Sequence, residues 1–178
     1  MSMTQVAILR KSEIPDNDKI EKDIQRLGYN FEIINKEEDI LSGNGLECKI
    51  NGHKTYFETY VENPTQIADE IDFIKSDLSN EDVGITFVWG ADFAAGACIG
   101  LISIALIDNC NAKIYYLDDE MKYTREMLIN DMPQFLIELS KIGKPKPEKI
   151  RSVTSKQIEE IRIKKKQSFW DKLKNIFK

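Results

Sequence analysis

The sequence predicts an α+β fold, a mixed or mainly antiparallel sheet with helices packed on one face of it. Three observations predict this. The longest apolar run, Val83 to Ile107, holds a single charge, Asp92, and changes character at Trp89-Gly90. The dipeptide Asn51-Gly52 stands between LECKI and HKTYFETYV, the preferred chemistry of a two-residue type I′ hairpin. Elsewhere strand-like and helix-like stretches alternate irregularly, as in α+β rather than α/β chains.

The central run divides in two. Ile85, Thr86, Phe87 and Val88 are β-branched or aromatic and read as a buried strand. Gly90 supplies a turn. Asp92 is placed to cap a helix by accepting from the first free N–H groups. The helix expected over 91–108 is apolar on nearly all sides, so it belongs at the centre of a core. A membrane span is the rival reading, since Gly96 and Gly100 make a small-residue pair. The strand-like first third and the charged flanks favour a core helix.

Before this unit, Gln5–Leu9 reads as a strand. Pro15 to Asp18 opens a helix whose Ile20, Ile24 and Leu27 share one side and which Gly28 stops. Tyr29–Ile34 is a strand, followed by a polar loop over Lys36–Gly45. The Asn51-Gly52 turn then fixes a register in which Ile50 faces His53, Cys48 faces Thr55 and Leu46 faces Phe57. These pairs mark the core face. Glu47, Lys49, Lys54, Tyr56, Glu58 and Tyr60 form a polar face expected to be open to solvent. Asn63-Pro64 starts a helix with the stripe Ile67, Ile71, Ile74 and Leu78.

After the central helix, Ala112–Leu117 is a strand whose crossover from Val83–Trp89 is expected to be right-handed. Asp118, Asp119 and Glu120 make an acidic turn. Thr124 caps a helix carrying Leu128, Met132, Phe135, Leu139 and Ile142, which Pro133 should kink or split. Gly143 to Pro147 is a linker. Beyond it, Ser155–Lys166 is basic and helix-like. A last amphipathic helix from Ser168 presents Phe169, Trp170, Leu173, Ile176 and Phe177, with Lys164, Lys165 and Lys166 just before it.

Charge separates body from tail. Residues 1–143 carry 13 Lys+Arg and 26 Asp+Glu, and residues 144–178 carry 12 and 4. The expected organisation is an acidic α+β domain over 1–143 and a basic linker and helical tail over 144–178. A body this acidic argues against nucleic-acid binding. Met1 to Glu13 lacks a basic head followed by an apolar run, so no secretory leader is expected there. Cys48, Cys98 and Cys110 are odd in number and lack metal spacing, which fits reduced thiols in a cytoplasm. The single histidine, His53, has no nucleophile motif around it. No phosphate loop occurs, and no cofactor or metal is expected.

Two stretches carry a resemblance: Leu46–Glu58 (LECKINGHKTYFE), and Thr86–Asp118, where Phe-x-Trp-Gly leads into an Ala-rich helix and an Ile-Tyr-Tyr-Leu-Asp strand. In these the chain resembles the small bacterial immunity proteins of polymorphic-toxin systems. The resemblance implies a non-catalytic cytoplasmic protein that blocks a toxin by direct contact, often through acidic surface. The expected partner is then a basic toxin domain. The residues expected to meet it are Asp118, Asp119, Glu120, Glu58, Tyr56, Tyr60 and Trp89. Two alternatives stand beside this. The basic tail would dock on a scaffold or on an anionic membrane, giving a peripheral location on its inner face. Alternatively, a small enzyme would use the Trp89–Asp92 turn as its site.

Overall fold

The computed structural model of the chain describes residues 2–143. The expectations for the linker beyond Gly143 and for the tail, including Lys164–Lys166, Phe169, Trp170, Leu173, Ile176 and Phe177, lie outside the described residues.

Among residues 2–143, seven strands form one sheet: β1 (Met3–Leu9), β2 (Phe31–Ile33), β3 (Leu46–Ile50), β4 (His53–Glu62), β5 (Val83–Trp89), β6 (Lys113–Tyr116) and β7 (Met121–Tyr123). Their order is β2-β3-β4-β5-β1-β6-β7, and every neighbouring pair is antiparallel. The helices are α1 (Asn17–Arg26), α2 (Pro64–Glu70), α3 (Asp72–Lys75), α4 (Phe93–Cys110) and α5 (Arg125–Ile142). This is the expected α+β fold, with the first strand in the middle of the sheet. Because β5 and β6 both run antiparallel to β1 between them, the β5–α4–β6 connection crosses over one strand.

The hairpin register is the one that Asn51-Gly52 dictates, with Ile50 opposite His53, Cys48 opposite Thr55 and Leu46 opposite Phe57. Asn51 and Gly52 have φ of 49° and 86°, the two positive angles a type I′ turn requires. Asp92 caps α4 by accepting from the Ala94 N–H at 2.9 Å. The helix runs past the expected end at Asp108 to Cys110. It stops at Asn111, whose left-handed φ of 51° closes it as a C-cap. Every residue from Ala94 to Leu106 is buried. By length and composition α4 is apolar enough to cross a membrane. In the fold it lies between the sheet and helices α1 and α5.

Four expectations are corrected. Helices cover both faces of the sheet, not one. Ala7, Leu9, Ile85 and Phe87 point to α4, while Val6 and Ile8 point the other way and are also fully buried. On that second face Gly84 leaves room for Ile67 of α2, whose Cδ1 a β-carbon there would overlap. The helix expected from Pro64 to Leu78 breaks at Ile71, which is extended at φ −135° and ψ 90° and separates α2 from α3. Pro133 does not split α5, which runs unbroken for 18 residues. It forfeits only the hydrogen bond to the Ile129 carbonyl, and Leu128, Met132 and Leu139 stay buried on one side. Finally, β7 follows the acidic turn directly, which makes that turn the tip of a β6–β7 hairpin.

The loop between α3 and β5 is tied to the far edge of the sheet by charge. Glu81 accepts from Lys113 Nζ at 2.7 Å and from the Ser79 N–H at 2.8 Å. Burial works to raise its carboxyl, but these bonds outweigh it and hold the group at about 2. Nearby, Asp77 accepts from Lys122 at 2.6 Å and from Tyr115 Oη at 2.9 Å, and its carboxyl is likewise lowered. A carboxyl depressed on folding stabilises fully above its unfolded value and loses that contribution as pH falls through its folded value. For Glu81 the window runs from 4.5 down to about 2. It corresponds to roughly 3 kcal/mol at 1.4 kcal/mol per unit. Acid unfolding of the wild type should therefore steepen below about 4.5. A Glu81→Gln variant, less stable at neutral pH, should lose much of that slope, and an identical profile for both would remove the linkage.

Candidate functional site

Where β5 ends, β1 begins and β6 turns into β7, a row of aromatic side chains reaches the edge of the core. Trp89 and Tyr116 have ring centroids 6.2 Å apart, and Tyr116 and Tyr123 6.0 Å apart. Met3 pairs with Trp89 across the β1–β5 ladder, and Met121 with Tyr116 across β6–β7. Met121 is 40% exposed, and Phe93, which opens α4, is 39% exposed. This end of the sheet thus shows apolar side chains to solvent beside an aromatic row in which Trp89 is buried and Tyr116 and Tyr123 are half-buried.

The acidic turn caps the same end. Asp118, Asp119 and Glu120 are all exposed. Asp118 Oδ2 accepts from the Thr4 N–H at 2.9 Å, and the Leu117 N–H donates to the Thr4 carbonyl at 3.0 Å. The turn is therefore anchored to the start of β1. The Glu120 N–H closes it onto the Leu117 carbonyl at 3.3 Å. Glu120 has a φ of 49°, a left-handed conformation that costs a residue with a β-carbon about 1–2 kcal/mol. Asn51 and Asn111 share that conformation, but asparagine tolerates it and glutamate does not. The field of the turn reaches inward: burial first, then Asp118 and Asp119, push the Tyr116 phenol up to about 12.

Some acids elsewhere in the body meet a described cation. Asp23 meets Lys19 and Arg26, Asp77 meets Lys122, Glu81 meets Lys113 and Asp108 meets Arg125. None of the described cations pairs with Asp118, Asp119 or Glu120.

The expected contact residues do not form one surface. Tyr56, Glu58 and Tyr60 stand on the sheet face away from α4, whereas Trp89 belongs to the core on the α4 face. Tyr56 is 50% exposed, as expected of that polar face, but Tyr60 is 8% exposed and Trp89 7% exposed. Tyr60 Oη donates to Glu58 Oε2 at 2.6 Å, and burial followed by that bond holds the phenol well above its usual range. Trp89 contributes packing to the core, and its buried indole N–H finds no acceptor among the described residues. Met121, Phe93 and Tyr116 escaped the sequence reading. Met121 and Tyr116 become neighbours of Trp89 through ladders that join distant segments. Phe93 was absorbed into the apolar run.

At the Trp89–Asp92 turn, Asp92 caps α4 and ties it to β4. Asp92 Oδ2 accepts from Thr55 Oγ1 at 2.5 Å while Oδ1 caps the helix. Cys48 and Cys98 are free thiols buried beneath it, and burial, then Cys48 itself, pushes the Cys98 thiol well up, away from the reactive thiolate. Two clefts, of about 560 and 170 Å³, are lined by residues of other segments. No group of three or more His, Cys, Asp or Glu side chains among the described residues is arranged to hold a metal ion.

Comparison of the chain with protein-family models, with curated proteins and with solved structures gives no match.

Proposed function

We propose that this is a non-catalytic binding protein of the immunity type, which neutralises a basic protein partner by capping it with the β6–β7 end of the sheet. The observation that carries the reading is the turn at Asp118–Glu120. Three consecutive carboxylates stand exposed without a cation among the described residues, on a backbone anchored to Thr4, with Glu120 in a conformation unfavourable to glutamate. Backbone strain kept at an exposed position is a pointer to a site rather than to stability. Met121, exposed and next in the chain to Glu120, supplies apolar contact beside it, so that apolar and charged side chains share the surface as they do in an interface. The carboxylates would speed encounter and set orientation, and the apolar side chains would slow release.

The test is capture of the native partner by the wild type and by a variant with Asp118, Asp119 and Glu120 all changed to Lys. Asp118 also accepts from the Thr4 N–H, so a double variant, Asp119→Lys with Glu120→Lys, is measured beside it and keeps that anchor while reversing the charge. Like-charge contacts cost several kcal/mol, so the triple variant should bind about 100-fold more weakly. Wild-type association should slow as salt shortens the screening length below about 8 Å. Neutralisation is read separately: the partner expressed alone should arrest growth, and co-expression with the wild type should restore it. Binding that ignores both the triple change and salt would remove the proposal.

A further inference from the structure

At the opposite edge of the sheet from β7, the segment leading into α1 and the loop between β2 and β3 enclose the cleft of about 560 Å³. Four carboxylates line the cleft, those of Asp16, Asp18, Glu37 and Asp39, against the ammonium groups of Lys11 and Lys36. Lys36 already turns back to Asp18 and Glu21, at 3.2 and 3.5 Å. The open space therefore faces more negative than positive charge.

One further group points to a ligand. Asn17 also lines the cleft and is 8% exposed. Its Nδ2 donates to the Glu38 carbonyl at 2.7 Å, but its buried Oδ1 accepts from nothing among the described residues. A buried amide oxygen without a donor costs about 1–3 kcal/mol, so a group bringing N–H donors would find an acceptor waiting. The carboxylates do not converge as a metal cage would. They are spread around a cleft whose remaining walls are Ile14, Pro15, Ile40 and Leu41. That combination suits a cation with several N–H donors on an aliphatic stem, whose chain packs on the apolar walls while its head meets the carboxylates.

We propose that this cleft binds an alkylguanidinium or alkylammonium group. The source is either a basic side chain in a peptide or a free small amine. Binding would draw Lys36 away from Asp18, freeing that carboxylate for the incoming cation, and a small local opening would bring the donors to Asn17 Oδ1. The inference does not rest on the acidic turn, and either site can fail without the other.

The experiment titrates the full chain with agmatine, with a blocked Gly-Arg-Gly tripeptide and with the same tripeptide carrying citrulline, by amide NMR. Citrulline keeps the shape of arginine and removes the charge. The expected result is saturable millimolar-range binding of agmatine, the arginine peptide or both. It should shift resonances of residues 14–18 and 36–41, including the Asn17 side-chain amide. Agmatine alone would identify a small-amine site, and the peptide alone a site for a protein segment. Glu37→Gln and Asp39→Asn, both at exposed positions, should each weaken binding by about tenfold, the usual worth of a charge-assisted hydrogen bond. Equal binding of the citrulline peptide, no binding by any probe, or affinities untouched by both variants would each overturn the proposal.

Discussion

Phe87→Ala should lower the stability of the domain by about 3–5 kcal/mol, the usual cost of truncating a buried phenylalanine. Phe87 sits on β5, one of the central strands, between Gln5 of β1 and Thr59 of β4. It is fully buried on the face that meets α4, and its ring stands edge-on to Phe57 at 6.1 Å. Removing it opens a void where strands from three parts of the chain meet the central helix, so the surroundings have little freedom to collapse. A domain of this kind holds about 5–15 kcal/mol in total. The midpoint of a thermal melt should therefore fall by about 6–20 °C. Phe87→Leu keeps most of the volume and should cost less than about 1.5 kcal/mol. A melt unmoved by the alanine change would mean that this face of the sheet is not the core.

Gly96→Leu should be the next most damaging change, and it tests the packing of α4 on α5. A β-carbon at Gly96 would stand 2.5 Å from Phe135 Cε1, with two more ring atoms at 3.1 and 3.2 Å. The phenyl ring is stiff, so the helices must separate or the ring must leave its rotamer. Overpacking of this kind costs about 1–3 kcal/mol, and Gly96 should lie at the upper end. Gly100 makes the instructive contrast. A β-carbon there would stand 2.5 Å from Met132 Cε, the far end of a flexible chain. Gly100→Ala should therefore be neutral or stabilising, because alanine gains about 0.5–1 kcal/mol over glycine inside a helix. Gly100→Leu should still destabilise. Equal thermal melts for Gly96→Ala and Gly100→Ala would contradict this account of the α4–α5 contact.

The features legible in the sequence were those whose chemistry is local. Asn51-Gly52 imposes its own turn and register, and Asp92 and Asn63 cap their helices with their own side chains. What was misread depends on contacts between distant segments. Nothing local ends a helix at Ile71, which is broken where the chain rounds the second face of the sheet. The run Val6-Ala7-Ile8-Leu9 did carry the signal for burial on both faces, being apolar without alternation. Met121–Tyr123 is too short to read as a strand before its pairing with β6 is known. At the candidate site the three acids were plain. Their anchoring to Thr4, the left-handed Glu120 and the neighbouring Met121 all arise from that hairpin and from β1. The cleft beside α1 was hidden for the same reason, since its carboxylates come from two segments separated by a helix and a strand.

Hydrogen exchange of the full chain, free and bound to the captured partner, tests most directly whether the β6–β7 end is the capping surface. Exchange should slow over residues 117–123 and 89–94 on binding, with the α2–α3 segment unchanged. Unaltered exchange over 117–123, with new protection confined to another part of the surface, would contradict that capping role.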